Sequence, residues 1–255
     1  MSAALGVLQY NLLSYSRNWR GSAFSSVLAP VVFLAAMGIG LGGLINRRSG
    51  GVEGIPYLLF LAPGLLATNA MQTSVFLSTY PILVRARWHR TYEALLATPV
   101  RIGDLLAGEL AWMALRLLQG ATIFLTAMAL FGAVRSPEGV LAIPVAVLTG
   151  LAFACPITAF AATRQSDLGF ILLQRLLVIP LFLFGGAFFP LDRLPLPLQA
   201  IAWATPLAHG VVLARGLTLG TLSLASAWPH LAVLLAYAVL GAIAAWAALR
   251  RRLVW

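Results

Sequence analysis

The sequence contains no lysine: all 17 of its basic residues are arginines, and only seven residues are acidic. An ATP-binding P-loop needs a lysine that reaches the phosphates, so this chain has no such site in its usual form. The single cysteine, Cys155, excludes a disulfide framework and is expected to behave as a small buried hydrophobic residue. Charged residues make up 9% of the chain, against about 25% in soluble domains, which excludes an ordinary soluble enzyme.

Long apolar runs dominate the sequence, since 61% of its residues are hydrophobic. A helix needs roughly 20 mostly apolar residues to cross a hydrocarbon core about 30 Å thick. Lipid offers backbone groups no hydrogen-bond partners, and these runs are too long for barrel strands, so we expect helices. The sequence therefore predicts a single-domain (1–255), all-α integral membrane protein with six transmembrane helices at 22–45, 57–84, 105–131, 140–163, 168–189 and 231–249.

The distribution of arginine predicts how the chain is oriented. With a cytoplasmic N-terminus, ten arginines fall in cytoplasmic segments and five outside, while Arg116 and Arg175 fall within spans. Cytoplasmic loops of membrane proteins are enriched in basic residues, so both termini are predicted to be cytoplasmic. The net charge of +10 does not indicate nucleic-acid binding, because the arginines lie at the ends of apolar runs rather than on one face.

Two segments outside the spans are predicted to contain helices. In residues 1–21, apolar side chains recur at steps of three and four, as in a helix lying in the cytoplasmic interface: Leu5, Leu8, Leu12, Tyr15 and Trp19. A frayed tail is the alternative. Residues 190–230 are broken by proline and glycine into apolar runs of about 10–14 residues, which suit interfacial or re-entrant helices. A seventh span over 207–224 would place three C-terminal arginines outside, so we reject it.

Spaced glycines near residue 40 match a dinucleotide-binding pattern by letter. Gly38, Gly40 and Gly43 lie at the end of an apolar span, and no strand precedes them. That pattern requires a strand before it and a helix after it, so nucleotide binding is not expected. Gly38 and Gly42, one turn apart, favour close packing of helices instead.

Catalytic and metal-ligating residues are not found in the spacing that their chemistry needs. His89, His209 and His230 are far apart in the sequence, each beside a predicted membrane boundary, so we expect no metal site. Ser74 and Ser78 lie in the second span, but no histidine falls clearly within any span to act as a base. The chain is therefore predicted to be non-catalytic and to hold no cofactor of its own.

Ionisable residues inside spans need compensating partners, because a charge in lipid is expensive. Glu109 and Arg116 are seven residues apart and share one face of the third span, separated by about 10 Å of rise. Arg175 lies about two turns into the fifth span, from where its side chain could extend to the interface. One interpretation is that Glu109 pairs with Arg116 or Arg175 and locks helices together; the other is that these residues flank a substrate path or a moving gate. The second span has polar residues that fit a cavity lining or hydrogen bonds between helices: Asn69, Gln72, Thr73, Ser74 and Ser78.

The loop at 85–104, RARWHRTYEALLATPVRIGD, is long and strongly basic. Tyr92, Leu95 and Leu96 form an apolar strip at helical spacing, and Pro99 ends the predicted helix. A short amphipathic helix projecting into the cytoplasm fits a groove in a soluble partner protein. Binding to lipid headgroups is the alternative function of such a basic loop.

Three stretches resemble the membrane subunit of type-2 ATP-binding-cassette (ABC) exporters, in the branch of nodulation-factor and antibiotic-resistance permeases. The first, RTYEALLATPVRIGDLLAGE at 90–109, resembles the coupling helix and the start of the third span. The second is LTGLAFA at 148–154. The third, FGGAFFPLDRLPLPLQAIAWATPLAHGVVLARGL at 184–217, is similar to the family signature after the fifth span. With the six-span layout, the likeness covers nearly the whole chain.

This resemblance implies an ATP-driven exporter of an amphiphilic, lipid-linked or drug-like substrate in a bacterial plasma membrane. It implies two copies of this chain, most simply a homodimer, and two cytoplasmic ATPase subunits that hold ATP and magnesium. By likeness, the ATPase contact involves Arg90, Thr91, Glu93, Leu95, Thr98 and Pro99, and the outer re-entrant helices include Phe188, Phe189, Pro190, Leu194 and Pro206.

We expect the polar faces of the second and fifth spans from two protomers to enclose the path. A membrane-embedded enzyme acting on lipid is the first alternative. A secondary transporter is the second, and it would show two related halves.

Overall fold

In a computed structural model, the chain is described at residues 3–17, 28 and 30–253. These residues form ten helices and a short 3₁₀ turn at Leu191–Arg193, with no strand beyond a single bridge between Val52 and Ile55. The helices are α1 (Ala3–Ser16), α2 (Pro30–Arg48), α3 (Tyr57–Trp88), α4 (Thr91–Leu96), α5 (Ile102–Leu130), α6 (Pro137–Thr163), α7 (Leu168–Phe184), α8 (Leu196–Trp203), α9 (Pro206–Leu219) and α10 (Leu224–Leu253).

Five of these helices, α2, α3, α5, α6 and α10, are long and apolar enough to cross a membrane, which confirms the all-α membrane class. The predicted first span began at 22, but residues 22–27 and 29 lie outside the described residues, and α2 continues to Arg48. Helix α3 is mostly buried at the centre of the bundle, whereas most of α10 is exposed in the single protomer. Close packing at Gly38 is confirmed, since a Cβ there would lie 2.5 Å from Leu58 Cδ1.

The predicted fifth span is too long. Helix α7 has 17 residues and ends at Phe184 instead of 189. Gly185 leaves the helical conformation, and Gly186 has a φ of +85°, which reverses the chain. At 1.5 Å per residue α7 is about 25 Å long, so it falls short of the full hydrocarbon thickness.

The last helix begins seven residues earlier than predicted. Ser223 and Ser226 cap its start reciprocally, because each hydroxyl accepts a hydrogen bond from the other residue's backbone N–H at 3.2 Å. Pro229 lies inside the helix and does not end it. His230 therefore belongs to α10 rather than to the re-entrant region predicted at 190–230.

Helices α8 and α9 meet at a bend of 80°, a geometry that fits a broken span as well as the predicted re-entrant helices. We call this bent pair the α8–α9 hairpin. The preceding segment lies at the start of α3, where the Tyr57 hydroxyl contacts the Phe188 carbonyl oxygen at 3.4 Å. Helix α4 follows the other end of α3. The α8–α9 hairpin and α4 therefore occupy opposite ends of the bundle.

Helix α1 lies along α5. Val7 is buried against Gly108, where a Cβ would lie 2.6 Å from the Val7 side chain, so only glycine allows this approach. The predicted apolar face makes only part of the contact with α5. Tyr15 packs against Trp112 with ring centres 5.4 Å apart, whereas Leu5 and Leu12 are exposed and Val7 and Asn11 are buried instead. Residues 18–21 of the predicted interfacial helix lie outside the described residues.

Candidate functional site: the α4 segment and the intramembrane cleft

Helix α4 is held between α3 and α5 by two backbone features. Arg90 adopts the left-handed conformation (φ 49°, ψ 28°), which is uncommon for a residue with a side chain and turns the backbone sharply after α3. At the other end, the Asp104 carboxylate accepts a hydrogen bond from the backbone N–H of Arg101 at 3.1 Å and caps α5.

One face of this segment is open and the other is covered by the bundle. The open face, which we call the α4 surface, consists of Arg90, Glu93, Ala94, Ala97, Thr98 and Pro99. Arg90 and Glu93 lie 4.0 Å apart on it. The apolar strip that the sequence indicated packs inward instead, because Tyr92 is fully buried and Leu95 packs on the same core cluster. Four of the six residues assigned to the ATPase contact are therefore exposed, and Thr91 and Leu95 are half-buried.

A buried ion pair joins α3 to α5 behind this surface. The Arg85 Nη1 atom donates to both carboxylate oxygens of Glu109, at 2.6 and 2.7 Å, and Glu109 is 3% exposed. The expectation that Glu109 pairs with Arg116 or Arg175 is wrong. The predicted boundary placed Arg85 in a loop, whereas α3 continues through π-helical turns to Trp88 and brings Arg85 level with Glu109.

Tyr92 connects this ion pair to α4. Burial and the nearby negative charge of Glu109 raise the pKa of the Tyr92 phenol well above its usual value, so it stays neutral. Its hydroxyl is one of the buried polar atoms without a hydrogen-bond partner among the described residues. The only side chain of α4 that is fully buried thus lies beside the charged pair that links the second and third spans.

Arg116 is occupied by the N-terminal helix. Its guanidinium lies 4.3 Å from the centre of the Tyr15 ring and donates to Gln119 Oε1 at 2.7 Å. Tyr15 and Gln119 also contact each other at 3.3–3.4 Å. Arg116 therefore ties α1 to α5, and the structure does not bring it to Glu109 or Arg175.

Arg175 lies in a cleft between α3 and α7. The cleft has a volume of about 650 Å³ and is lined by polar groups of both helices, among them Gln72, Thr79, Asp167 and Gln174. Five consecutive residues, Gln174–Val178, form a π-helical turn that includes Arg175. Such turns are common at functional sites because they redirect side chains without ending the helix.

The polar residues predicted on the second span fall into two groups: some line a cavity, and others form hydrogen bonds within the helix. Asn69 and Gln72 line a smaller cavity of about 260 Å³ bounded by α2, α3, α5 and α7. Ser74 does not line it: its side chain is fully buried and donates to the Ala70 carbonyl oxygen of the preceding turn at 2.7 Å. Gln72 lines both the cleft and this cavity, so it joins the two spaces.

The residues predicted at the outer gate lie in the segment between α7 and α8 and at the start of α9. The Phe188 ring packs edge-on against Phe182 with ring centres 5.1 Å apart, and Phe189 lies 6.2 Å from Phe184. Pro190 precedes the 3₁₀ turn, which Leu194 ends. Pro206 opens α9 and is buried.

Two features of this end were missed by sequence reasoning. Arg215 donates to the carbonyl oxygens of Phe60 and Gly186, at 3.1 and 2.8 Å, and lies 3.7 Å from the Phe60 ring centre. It borders a cavity of about 610 Å³. His209 and His230 were expected to be far apart, yet their Nδ1 atoms are 2.7 Å apart.

The histidine pair links the hairpin to α10. His209 Nε2 is 2.9 Å from the Trp203 carbonyl oxygen, so in the neutral pair His209 donates there and accepts from His230. Twenty-one residues separate them, and only the 80° bend and the long α10 bring them together. The described residues contain no group of three or more histidine, cysteine, aspartate or glutamate side chains that could hold a metal ion.

The sequence of this chain is similar to known proteins over most of its length. Residues 4–219 match the family described as ABC-2 type transporter. The chain is 36% identical over 250 residues to Nodulation protein J of Rhizobium leguminosarum bv. viciae, covering 98% of this chain and 95% of that protein. It is 27% identical over 188 residues to the Inner membrane transport permease YadH of Escherichia coli (strain K12), covering 72% of each.

The chain belongs to the ABC-2 type transporter family. It is a transmembrane permease subunit of an ABC exporter and a multi-pass membrane protein, as the resemblance in the sequence implied. The alternatives of a lipid-modifying enzyme and a secondary transporter are thereby set aside.

Proposed function

We propose that this subunit is driven by two separate ATPase chains that dock on the α4 surface of a homodimer. ATP and magnesium belong to those chains, and this chain takes no part in the chemistry of hydrolysis. In this orientation the α4 end and both termini are cytoplasmic, in a bacterial plasma membrane. The exposed arginines of the α4 end and C-terminus support it, among them Arg87, Arg90 and Arg250.

The observation that carries the proposal is the contact chain from α4 to the spans. Docking moves α4, and α4 acts on α3 and α5 through Tyr92 and the Arg85–Glu109 pair. Because a packed, charge-paired core has discrete arrangements rather than continuous ones, a push on α4 shifts the bundle between two states. The amphiphilic cargo passes along the cleft between α3 and α7, which faces the same cleft of the second protomer.

Substitution of the α4 surface tests this mechanism. Glu93→Arg reverses one exposed charge without touching the core, so the protein should fold and insert normally. In the complex reconstituted with its ATPase subunits, we expect hydrolysis to continue while export of the cargo falls at least tenfold. The matched control is Glu138→Arg, another exposed glutamate, at the opposite end of the bundle.

Two outcomes would contradict the proposal. One is normal export by the Glu93→Arg variant. The other is failure of the wild-type chain to copurify with any ATPase subunit from mild detergent, since the proposal requires a stable complex.

A further inference from the structure

Arg175 differs from the other arginines inside the bundle: Arg85 has an acidic partner, and Arg116 and Arg215 contact neutral groups of the protein. All seven acidic side chains of the sequence are among the described residues, and those residues contain two ion pairs, Arg85–Glu109 and Arg90–Glu93. Arg116 contacts Tyr15 and Gln119, and Arg215 donates to two carbonyl oxygens. Arg175 has no acidic partner within 4.0 Å in the described part of the chain.

Arg175 is also deeper than an interfacial arginine needs to be. It is seven residues into α7, about 10 Å along the helix from Leu168, which begins next to the cytoplasmic end in our orientation. An arginine at such a depth either extends its side chain toward the interface or takes a counter-charge or a polar cavity, because lipid provides neither. The cleft supplies polar neighbours on both walls, Gln72 and Gln174. Its one acidic lining residue, Asp167, lies beyond 4.0 Å from the Arg175 guanidinium and forms no ion pair with it.

The same cleft has an apolar side suited to a hydrocarbon chain. Phe76, Ile171 and Ile179 border it and are 71%, 46% and 46% exposed in the single protomer, so this wall is free to contact an acyl chain. A cation beside polar amides, next to an apolar opening at the level of the inner leaflet, matches a molecule with an anionic head and an acyl or polyprenyl chain.

We propose that the α3–α7 cleft binds an amphiphile whose anionic head, a phosphate or similar oxyanion, pairs with Arg175 while its chain lies along Phe76 and Ile179. The binding site extends the proposed function by naming the class of molecule in the cleft. It rests on the proposed function only where the bound amphiphile is taken to be the transported cargo. The π-helical turn at Gln174–Val178 places the guanidinium on the cleft without breaking α7.

Quenching by brominated lipids tests the binding. A fluorophore is attached at Ile179→Cys in a Cys155→Ala background, in the complex with ATPase subunits in nanodiscs, and brominated phosphatidic acid is compared with brominated phosphatidylcholine. We expect phosphatidic acid to quench at a mole fraction about fivefold lower, corresponding to one charge-assisted contact of about 1 kcal/mol. Arg175→Gln should abolish this preference, Arg175→Lys should retain most of it, and Arg193→Gln, an exposed arginine outside the cleft, should leave it unchanged.

Equal quenching by both lipids would overturn the proposal, and so would a preference that survives Arg175→Gln. Loss of dimer in the Arg175→Gln variant without any lipid preference in the wild type would also overturn it, because Arg175 would then pair with an acidic group of the second copy. None of these three results contradicts the proposed function, because the protein would still be able to transport a neutral amphiphile in an ATP-driven manner.

A second arm identifies the source of the amphiphile. With fluorescent short-chain phosphatidic acid in proteoliposomes, ATP-dependent appearance in the outer leaflet identifies a cargo. Binding without such movement identifies a resident lipid of the same chemistry, and both results support the site. Loss of ATP dependence for every cargo tested, with the lipid preference intact, counts against the proposed function alone.

Discussion

The guanidinium of Arg85 on α3 and the carboxylate of Glu109 on α5 form a buried ion pair directly behind the α4 surface. Neither helix presents the pair to bulk solvent, since Glu109 is almost fully buried and the Arg85 side chain is 20% exposed. Removing one member therefore leaves an uncompensated charge in the bundle, whereas removing both leaves none.

This asymmetry predicts the outcome of a double-mutant cycle. Glu109→Leu should lower the free energy of unfolding in detergent by about 3 kcal/mol, and Arg85→Met by a similar or smaller amount. The double variant should recover most of that loss, because no buried charge remains. The free energies of unfolding of the two single variants and the double variant are measured by denaturation with increasing sodium dodecyl sulfate, monitored by tryptophan fluorescence. Additive losses would show that the pair contributes no coupling.

A second prediction concerns the close approach of α3 to the segment after α7. A Cβ at Gly64 would lie 2.6 Å from Ala187 Cα, a backbone atom that cannot move aside alone. Gly64→Ala should therefore destabilise the protein by about 1–3 kcal/mol through overpacking. Gly103→Ala is the control, since that position in α5 has open space around it and should be neutral or slightly stabilising. Equal stability of the two variants would argue against this packing.

Arg215 should not tolerate lysine. Its planar head contacts two carbonyl oxygens and the Phe60 ring simultaneously, and a single ammonium group cannot reproduce that geometry. We expect Arg215→Lys to cost about 1.5–3 kcal/mol of stability, the range for a hydrogen bond to a charged group. Thermal unfolding monitored by loss of soluble protein measures it. Arg193→Lys, at an exposed position of the same end, should change nothing.

The histidine pair should restrain the hairpin. His209→Ala removes the contacts with His230 and with the Trp203 carbonyl oxygen, so α8 loses one of its attachments to α10, while the hydrogen bond from the Tyr237 hydroxyl to the Ala204 carbonyl oxygen remains. Amide hydrogens of residues 196–204 should then exchange about five- to tenfold faster, as expected for losing roughly 1 kcal/mol of local stability. His89→Ala, at an exposed site near the opposite end, serves as the control. Unchanged exchange in the His209 variant would contradict this restraint.

The helical class and most span boundaries follow from the apolar runs, because lipid leaves the backbone no alternative to local hydrogen bonds. Helix α3 begins at Tyr57 and α6 ends at Thr163, as the sequence indicated. The sequence did not predict that α7 is shorter or that α10 begins earlier. The chain reversal at two glycines and the serine cap each involve only a few residues, so a hydropathy average over a whole span does not reveal them. The sequence at 90–109 likewise predicted α4, but it did not predict which face of that helix is exposed.

The side-chain pairs that join different helices could be identified only in the folded structure. Glu109 could be recognised from the sequence as a residue in need of a cation, yet only the continuation of α3 to Trp88 put Arg85 beside it and left Arg175 facing a cleft. His209 and His230 meet through the same kind of long-range geometry. Composition and hydrophobic periodicity determine which segments enter a membrane because they are properties of a single helix and its solvent. The partner of each charge depends on the rotation and depth of neighbouring helices, which packing alone decides.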